Sequence, residues 1–124
     1  MNKPQIRVTC LDDCGDMRGS VFHVPGRSLE FLEVTVGFSI LTLKPDHFLG
    51  NHSHQYMSEV VVILHQDSWS LHWDTGENTQ KHERQFNGSG AEIIEIEPLC
   101  SHAFRNTGNQ DVYYFHIGDK KHDS

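Results

Sequence analysis

Residues 58–73 read "SEVVVILHQDSWSLHW". A β-branched run opens at Val60 and extends to Leu64, "HQD" at 65–67 interrupts it, and "SWSLHW" sets Trp69 and Trp73 on one parity. Short apolar runs with period two, separated by turn formers, are the signature of paired strands. The same rhythm continues on both sides. "EVTVGFSI" at 33–40 alternates, with Val34, Val36, Phe38 and Ile40 on one face. Leu41 and Leu43 then take the opposite parity, which predicts a bulge or a bend. Downstream, "KHERQF" (81–86) reads as a polar, exposed strand, and "AEIIEIE" (91–97) and "VYYFHIG" (112–118) as apolar ones. Upstream, "SVFHV" (20–24) reads as a strand stopped by Pro25-Gly26, and "KPDHFLGN" (44–51) reads as a loop. Residues 1–20 are predicted to be an irregular arm with a short strand at Ile6–Thr9, and 118–124 a polar tail.

A strand about every eight to twelve residues, with turn signals between, predicts an all-β sandwich or barrel. No window sustains a helical period, and there is no repeat or linker, so a single domain over 1–124 is expected. No apolar run reaches the roughly 18–20 residues of a membrane span. "MNKPQIRVTC" has no apolar signal core, so a cytoplasmic protein with no membrane partner is expected. The 10 Lys and Arg are scattered against 17 Asp and Glu, for a net charge of -7. Without a basic stripe to neutralise phosphates, nucleic-acid binding is disfavoured. Three cysteines, Cys10, Cys14 and Cys100, are spaced for neither a zinc pair nor a redox pair.

The unusual count is 10 histidines. Imidazole is the commonest metal ligand and titrates near neutrality. In an extended segment residues i and i+2 point the same way, so His52 and His54 project to one side. Glu59 follows after a short turn that can bring its carboxylate to the same point. "PLCSHAFRN" (98–106) offers a third imidazole, His102. Three imidazoles and a carboxylate suit a first-row divalent metal.

The pattern HxHxxxxE before a strand, followed roughly forty residues later by Pro…His-xxx-Asn, resembles the two motifs of the cupin superfamily, over about Val34 to Ile117. The resemblance implies a cupin-type double-stranded β-helix, a jelly-roll-like barrel. It implies His52, His54, Glu59 and His102 as ligands of a divalent ion (Fe, Zn, Mn or Ni), with Pro98 and Asn106 framing the second motif. Three turn glycines of the motifs are replaced here, by Asp46, Gln66 and Cys100, and the Pro98–His102 gap is one residue short. Asp46 still suits a left-handed turn. Some nucleotide-sugar epimerases of this fold work without metal, on a His–Asp base and a Tyr acid; a retained Glu59 speaks for the metal.

"GAEIIEIEPLCSHAFRNTG" (90–108) is similar to the second motif of cupin domains in nucleotide-sugar-modifying enzymes. This implies an isomerase or epimerase acting on a small sugar-like or keto substrate. The same ligands suit an iron-dependent dioxygenase, and a non-enzymatic small-molecule or metal-binding module is the third reading. His47, Tyr114 and His116 are the candidates for proton transfer. Arg105 is a candidate cation for an anionic substrate, and Trp69 and Trp73 serve as core packing or as a stacking wall for a ring. Small cupins pair, so a homodimer is expected.

Overall fold

The computed structural model describes residues 5–30, 35–52, 58–74 and 80–119. In chain order the elements are β1 (Ile6–Leu11), α1 (Gly26–Glu30), β2 (Thr35–Leu43), β3 (Phe48–His52), β4 (Glu59–His65), β5 (Trp69–Asp74), β6 (His82–Phe86), β7 (Gly90–Ile96), β8 (Ser101–Asn106) and β9 (Val112–Asp119). One sheet has the order β1-β7-β4-β9-β2 and the other β3-β8-β5-β6. Every ladder is antiparallel.

The pairing has a simple logic. β5 pairs with β6, β4 with β7, β3 with β8 and β2 with β9. The chain is thus a long antiparallel ribbon that folds back from the β5–β6 pair and rolls up, each partner pair falling in the opposite sheet from the next. This is the cupin-type, jelly-roll arrangement that the resemblance implied, and it is the all-β class that the strand rhythm predicted. The two sheets are not closed on each other.

The core lies between the sheets. β4 contributes Val61 and Ile63, β7 Ile94 and Ile96, β5 Trp69 and Leu71, β8 Phe104, and β9 Val112 and Tyr114. Trp69 is completely buried and stacks on Phe86 at 4.5 Å and 7°. Burial of one such side chain contributes about 1.5–3 kcal/mol, and aromatic pairing adds roughly 0.5–1.5 kcal/mol. Asn106, fully buried, closes the far end. Its Nδ2 donates to the carbonyls of Leu43 (2.8 Å) and Gln110 (2.7 Å), and its Oδ1 accepts from the Gly108 amide at 2.9 Å. The asparagine of the second motif therefore ties the end of β2 to the turn between β8 and β9.

The structure departs from the sequence reading at four places. Residues 20–25 form no strand; Pro25 instead precedes the short α1, where the Ser28 amide donates to the Pro25 carbonyl. β1 runs to Leu11 because its whole length pairs with β7. The "FLGNH" segment is a strand, not a loop, because β8 supplies its hydrogen bonds. Gly50 permits this: its φ is 109°, and a Cβ there would lie 2.8 Å from the His102 carbonyl oxygen. Finally, β2 turns Phe38 and Ile40 outward, 63% and 64% exposed, while Leu43 is buried. Pairing of Leu43 with Val112 fixes which parity faces the core, after a register shift between Thr35 and Gly37. Among the described residues, no helix is long and apolar enough to cross a membrane.

Candidate active site

The site assembles at one end of the sandwich, where β4 begins and β8 and β9 bring their inner faces together. Glu59, the first residue of β4, is buried. His102, the second residue of β8, is buried opposite it, its Nε2 lying 3.7 Å from Glu59 Oε2. His116 of β9 donates from Nε2 to the same Oε2 at 2.9 Å. On its other nitrogen, His102 Nδ1 donates to the Cys100 carbonyl at 3.0 Å, which orients the ring and turns Nε2 toward the carboxylate.

The electrostatics follow from this convergence. Burial pushes the Glu59 carboxyl up, but hydrogen bonds and positive charge from His102 and His116 outweigh it, and Glu59 is held well below the usual carboxylate range. For His102 burial acts downward, and the Glu59 carboxylate overcomes it, so the imidazole is raised. Glu59 is an anion, flanked by the two imidazoles.

His52 ends β3, and its backbone pairs with that of His102 across a bulge that follows Gly50. His54 lies outside the described residues. Among the described residues no group of three or more His, Cys, Asp or Glu is gathered tightly enough to hold a metal ion. The chemistry of the donors fits one nonetheless. A buried carboxylate stands beside an imidazole whose Nδ1 is engaged by a carbonyl, the outer-shell arrangement that metal-bound histidines use, and His52 is the backbone partner of His102 in the β3–β8 register.

Neither a family model nor a curated protein matches the chain. Solved structures do. A mutant of the 3,4-ketoisomerase QdtA from Thermoanaerobacterium thermosaccharolyticum, in complex with TDP-4-keto-6-deoxyglucose, aligns with a TM-score of 0.68 at 15% identity, over 96% of this chain and 83% of that one. A dTDP sugar isomerase from Desulfovibrio desulfuricans G20 aligns at 0.71 and 13% identity, over 92% and 76%. The capsular polysaccharide assembling protein CapF from Staphylococcus aureus aligns at 0.62 and 20% identity, over 91% of this chain and 31% of its own. At these identities the likeness establishes the fold.

The other residues singled out in the sequence are placed as follows. His47 lies in the turn before β3, exposed, with Nδ1 donating to the Pro45 carbonyl at 2.9 Å. It stands at the opposite end of β3 from His52, about 16 Å away at the rise of an extended strand, and so does not join Glu59 and His102. Arg105 is exposed between buried Phe104 and Asn106, hence on the outer face of its sheet. Trp69 is sealed in the core, with its Nε1 donating to Glu92 Oε1 at 2.9 Å. Trp73 is half-buried at the same end as His102, its partner across the β5–β8 ladder. Tyr114 lies one inward position below His116, buried against Phe104 at 5.1 Å. Burial pushes its phenol far above the ordinary range, so it stays protonated. Asp46 adopts φ 66°, the left-handed turn that aspartate tolerates.

Sequence reasoning missed a second buried network. His65 is not a turn residue on the surface: it ends β4, buried, with Nε2 2.8 Å from Glu92 Oε1 and Nδ1 2.7 Å from the Gly88 carbonyl and 3.0 Å from that of Asp67. All these partners are acceptors, so both ring nitrogens carry protons and His65 is an imidazolium paired with Glu92. The available signal was Glu92 itself, a charge on the same parity as Ile94 and Ile96, the apolar face of its strand.

Proposed function

We propose that this protein is an isomerase of a keto-sugar, with His116 moving the proton and Glu59 as its positioning residue. The observation that carries the reading is the 2.9 Å hydrogen bond from His116 Nε2 to Glu59. His116 is the accessible member of the group, with its side chain 29% exposed against 3% for Glu59 and 1% for His102. With Nε2 held by the carboxylate, Nδ1 is the atom that acts as base, the division of labour of an acid–His pair. Structural likeness to a sugar 3,4-ketoisomerase and to a dTDP sugar isomerase supports the substrate class.

The chemistry is a proton shift. His116 Nδ1 removes the proton from the carbon beside the ketone, and the C–H electron pair forms a C=C bond as the keto oxygen becomes an enediolate oxygen. The proton is then returned to the former carbonyl carbon, while the neighbouring hydroxyl passes its own proton to the former keto oxygen, leaving a ketone on the first carbon and a hydroxyl on the second. Atoms and electrons balance without a co-reactant. The test is incubation with TDP-4-keto-6-deoxyglucose in deuterated water, followed by NMR. His116→Asn should slow deuterium incorporation by about 10²–10⁴-fold; an unchanged rate would defeat the assignment.

Glu59, His102, His52 and His54 are also the residues that would hold a divalent ion. Bound there, the ion would act as a Lewis acid toward the keto oxygen. Metal content after purification without added metal, in wild type and in His52→Ala, tests this; full occupancy in the variant counts against the ligand set.

We also infer a homodimer. β2 is an edge strand with Phe38 and Ile40 exposed beside an apolar groove of about 410 Å³ lined by residues including Phe22, Val24, Phe115 and Ile117. A long apolar edge invites pairing with a second copy. Light scattering should give twice the monomer mass, and Phe38→Ser should shift it toward the monomer.

A further inference from the structure

The cross-strand row through His102 extends beyond the acid–base group. His102, Trp73 and His82 are consecutive partners across β8, β5 and β6. The Trp73 and His82 rings stack with centroids 5.2 Å apart and planes 24° from parallel. Trp73 packs one edge on the core and is half-buried, while His82 is exposed. Trp69, on the same strand face, shows what core duty looks like: no exposure, an apolar stacking partner and an engaged Nε1. Trp73 differs on each count, since its stacking partner is a polar, solvent-facing ring that no packing demand requires. A cleft of about 370 Å³ is lined by Trp73, Lys81, His82, Ser101 and His102 among others.

The row also sets a length. With strands about 4.8 Å apart, Trp73 stands roughly 5 Å and His82 roughly 10 Å from His102. That reach exceeds a monosaccharide lying over His102 and His116, and it suits a ligand with two rings joined by a linker. Lys81, exposed beside His82, offers an ammonium to a phosphate-bearing linker.

We propose that Trp73 and His82 form a stacking platform for the aromatic base of a nucleotide-linked keto-sugar, whose sugar occupies the Glu59–His102–His116 end. The proposal rests on the isomerase reading and adds how the distant half of the substrate is held. Base-on-aromatic stacking tolerates exchange between aromatic side chains and not their loss.

The test is binding of TDP, a nucleotide without the sugar, followed by tryptophan fluorescence and calorimetry. TDP should quench Trp73 emission in the wild type. Trp73→Ala should weaken TDP about tenfold or more, Trp73→Phe by less than about threefold, and His82→Ala by an intermediate factor. With the keto-sugar, Trp73→Ala should raise KM and leave kcat within about twofold. TDP that fails to bind the wild type, or that binds Trp73→Ala with wild-type affinity, overturns the platform. If Trp73→Ala does not fold, an unchanged affinity in His82→Ala overturns it. Wild-type proton exchange on the keto-sugar with an unaltered KM in Trp73→Ala removes the platform and leaves the isomerase. Quenching by TDP without any proton exchange removes the isomerase and leaves a nucleotide platform.

Discussion

Glu59 and His116 are not direct partners across the β4–β9 ladder: Glu59 lies opposite Gly118, and His116 lies opposite Val61. Their 2.9 Å contact is a diagonal one, made possible because both side chains face inward and Gly118 leaves the position beside Glu59 empty of any side chain. Diagonal neighbours on one face are within reach of long side chains.

Glu59→Gln tests what the carboxylate does for His116. The amide preserves shape and removes the charge that orients the imidazole. Turnover of TDP-4-keto-6-deoxyglucose should fall by about 10²–10⁴-fold. A variant that turns over at the wild-type rate would show that the contact is structural only.

The His65–Glu92 pair predicts how stability changes with pH. Burial acts to lower the His65 imidazole, but the hydrogen bond and charge of Glu92 and the carbonyls of Asp67 and Gly88 prevail, so its folded value is raised. The stabilisation is complete below the unfolded imidazole value of about 6.5 and is lost as pH rises through the folded value. Thermal melts across pH 5–9 should show the melting temperature declining on the alkaline side. His65→Leu strands Glu92 in the core and should cost about 3–5 kcal/mol near pH 6. Equal stability of variant and wild type at that pH would defeat the pairing.

Leu99 carries φ 73° in the turn from Glu97 to Cys100, just before the strand that bears His102. A branched residue in the left-handed region costs roughly 1–2 kcal/mol. Its side chain is half in solvent, so little packing offsets the strain. Leu99→Gly should therefore raise the denaturant midpoint, by an amount equivalent to about 1 kcal/mol. A lower midpoint would mean that the strained turn is held by contacts the glycine removes.

Much of this architecture is legible in the chain. The runs Val60–Leu64, Ala91–Ile96 and Val112–Ile117 announce their strands because apolar β-branched and aromatic residues recur between strong turn formers. β3 does not announce itself, since Gly50 and Asn51 look like turn chemistry and only the partner strand β8 makes the segment extended. The alternation of β2 is visible, but the side that faces the core is not, because the Leu43–Val112 pairing decides it across the sheet. His102 and Glu59 stand out through their spacing. His116 is harder to rank, because its value comes from a diagonal contact 57 residues away along the chain. His65 resists sequence reading for the same reason: Glu92 is 27 residues distant, and only the β4–β7 register brings them together.

The rolled ribbon also dictates when this chemistry can first exist. Contacts between β5 and β6 are local, whereas β9 must find β4 across half the chain, and distant pairings form slowly because loop closure precedes their reward. Glu59 therefore waits for the final strand before it has His116 beside it. A chain still emerging from the ribosome, or one arrested with only its inner hairpins paired, lacks the Glu59–His116 contact even when most of its sheet structure is in place.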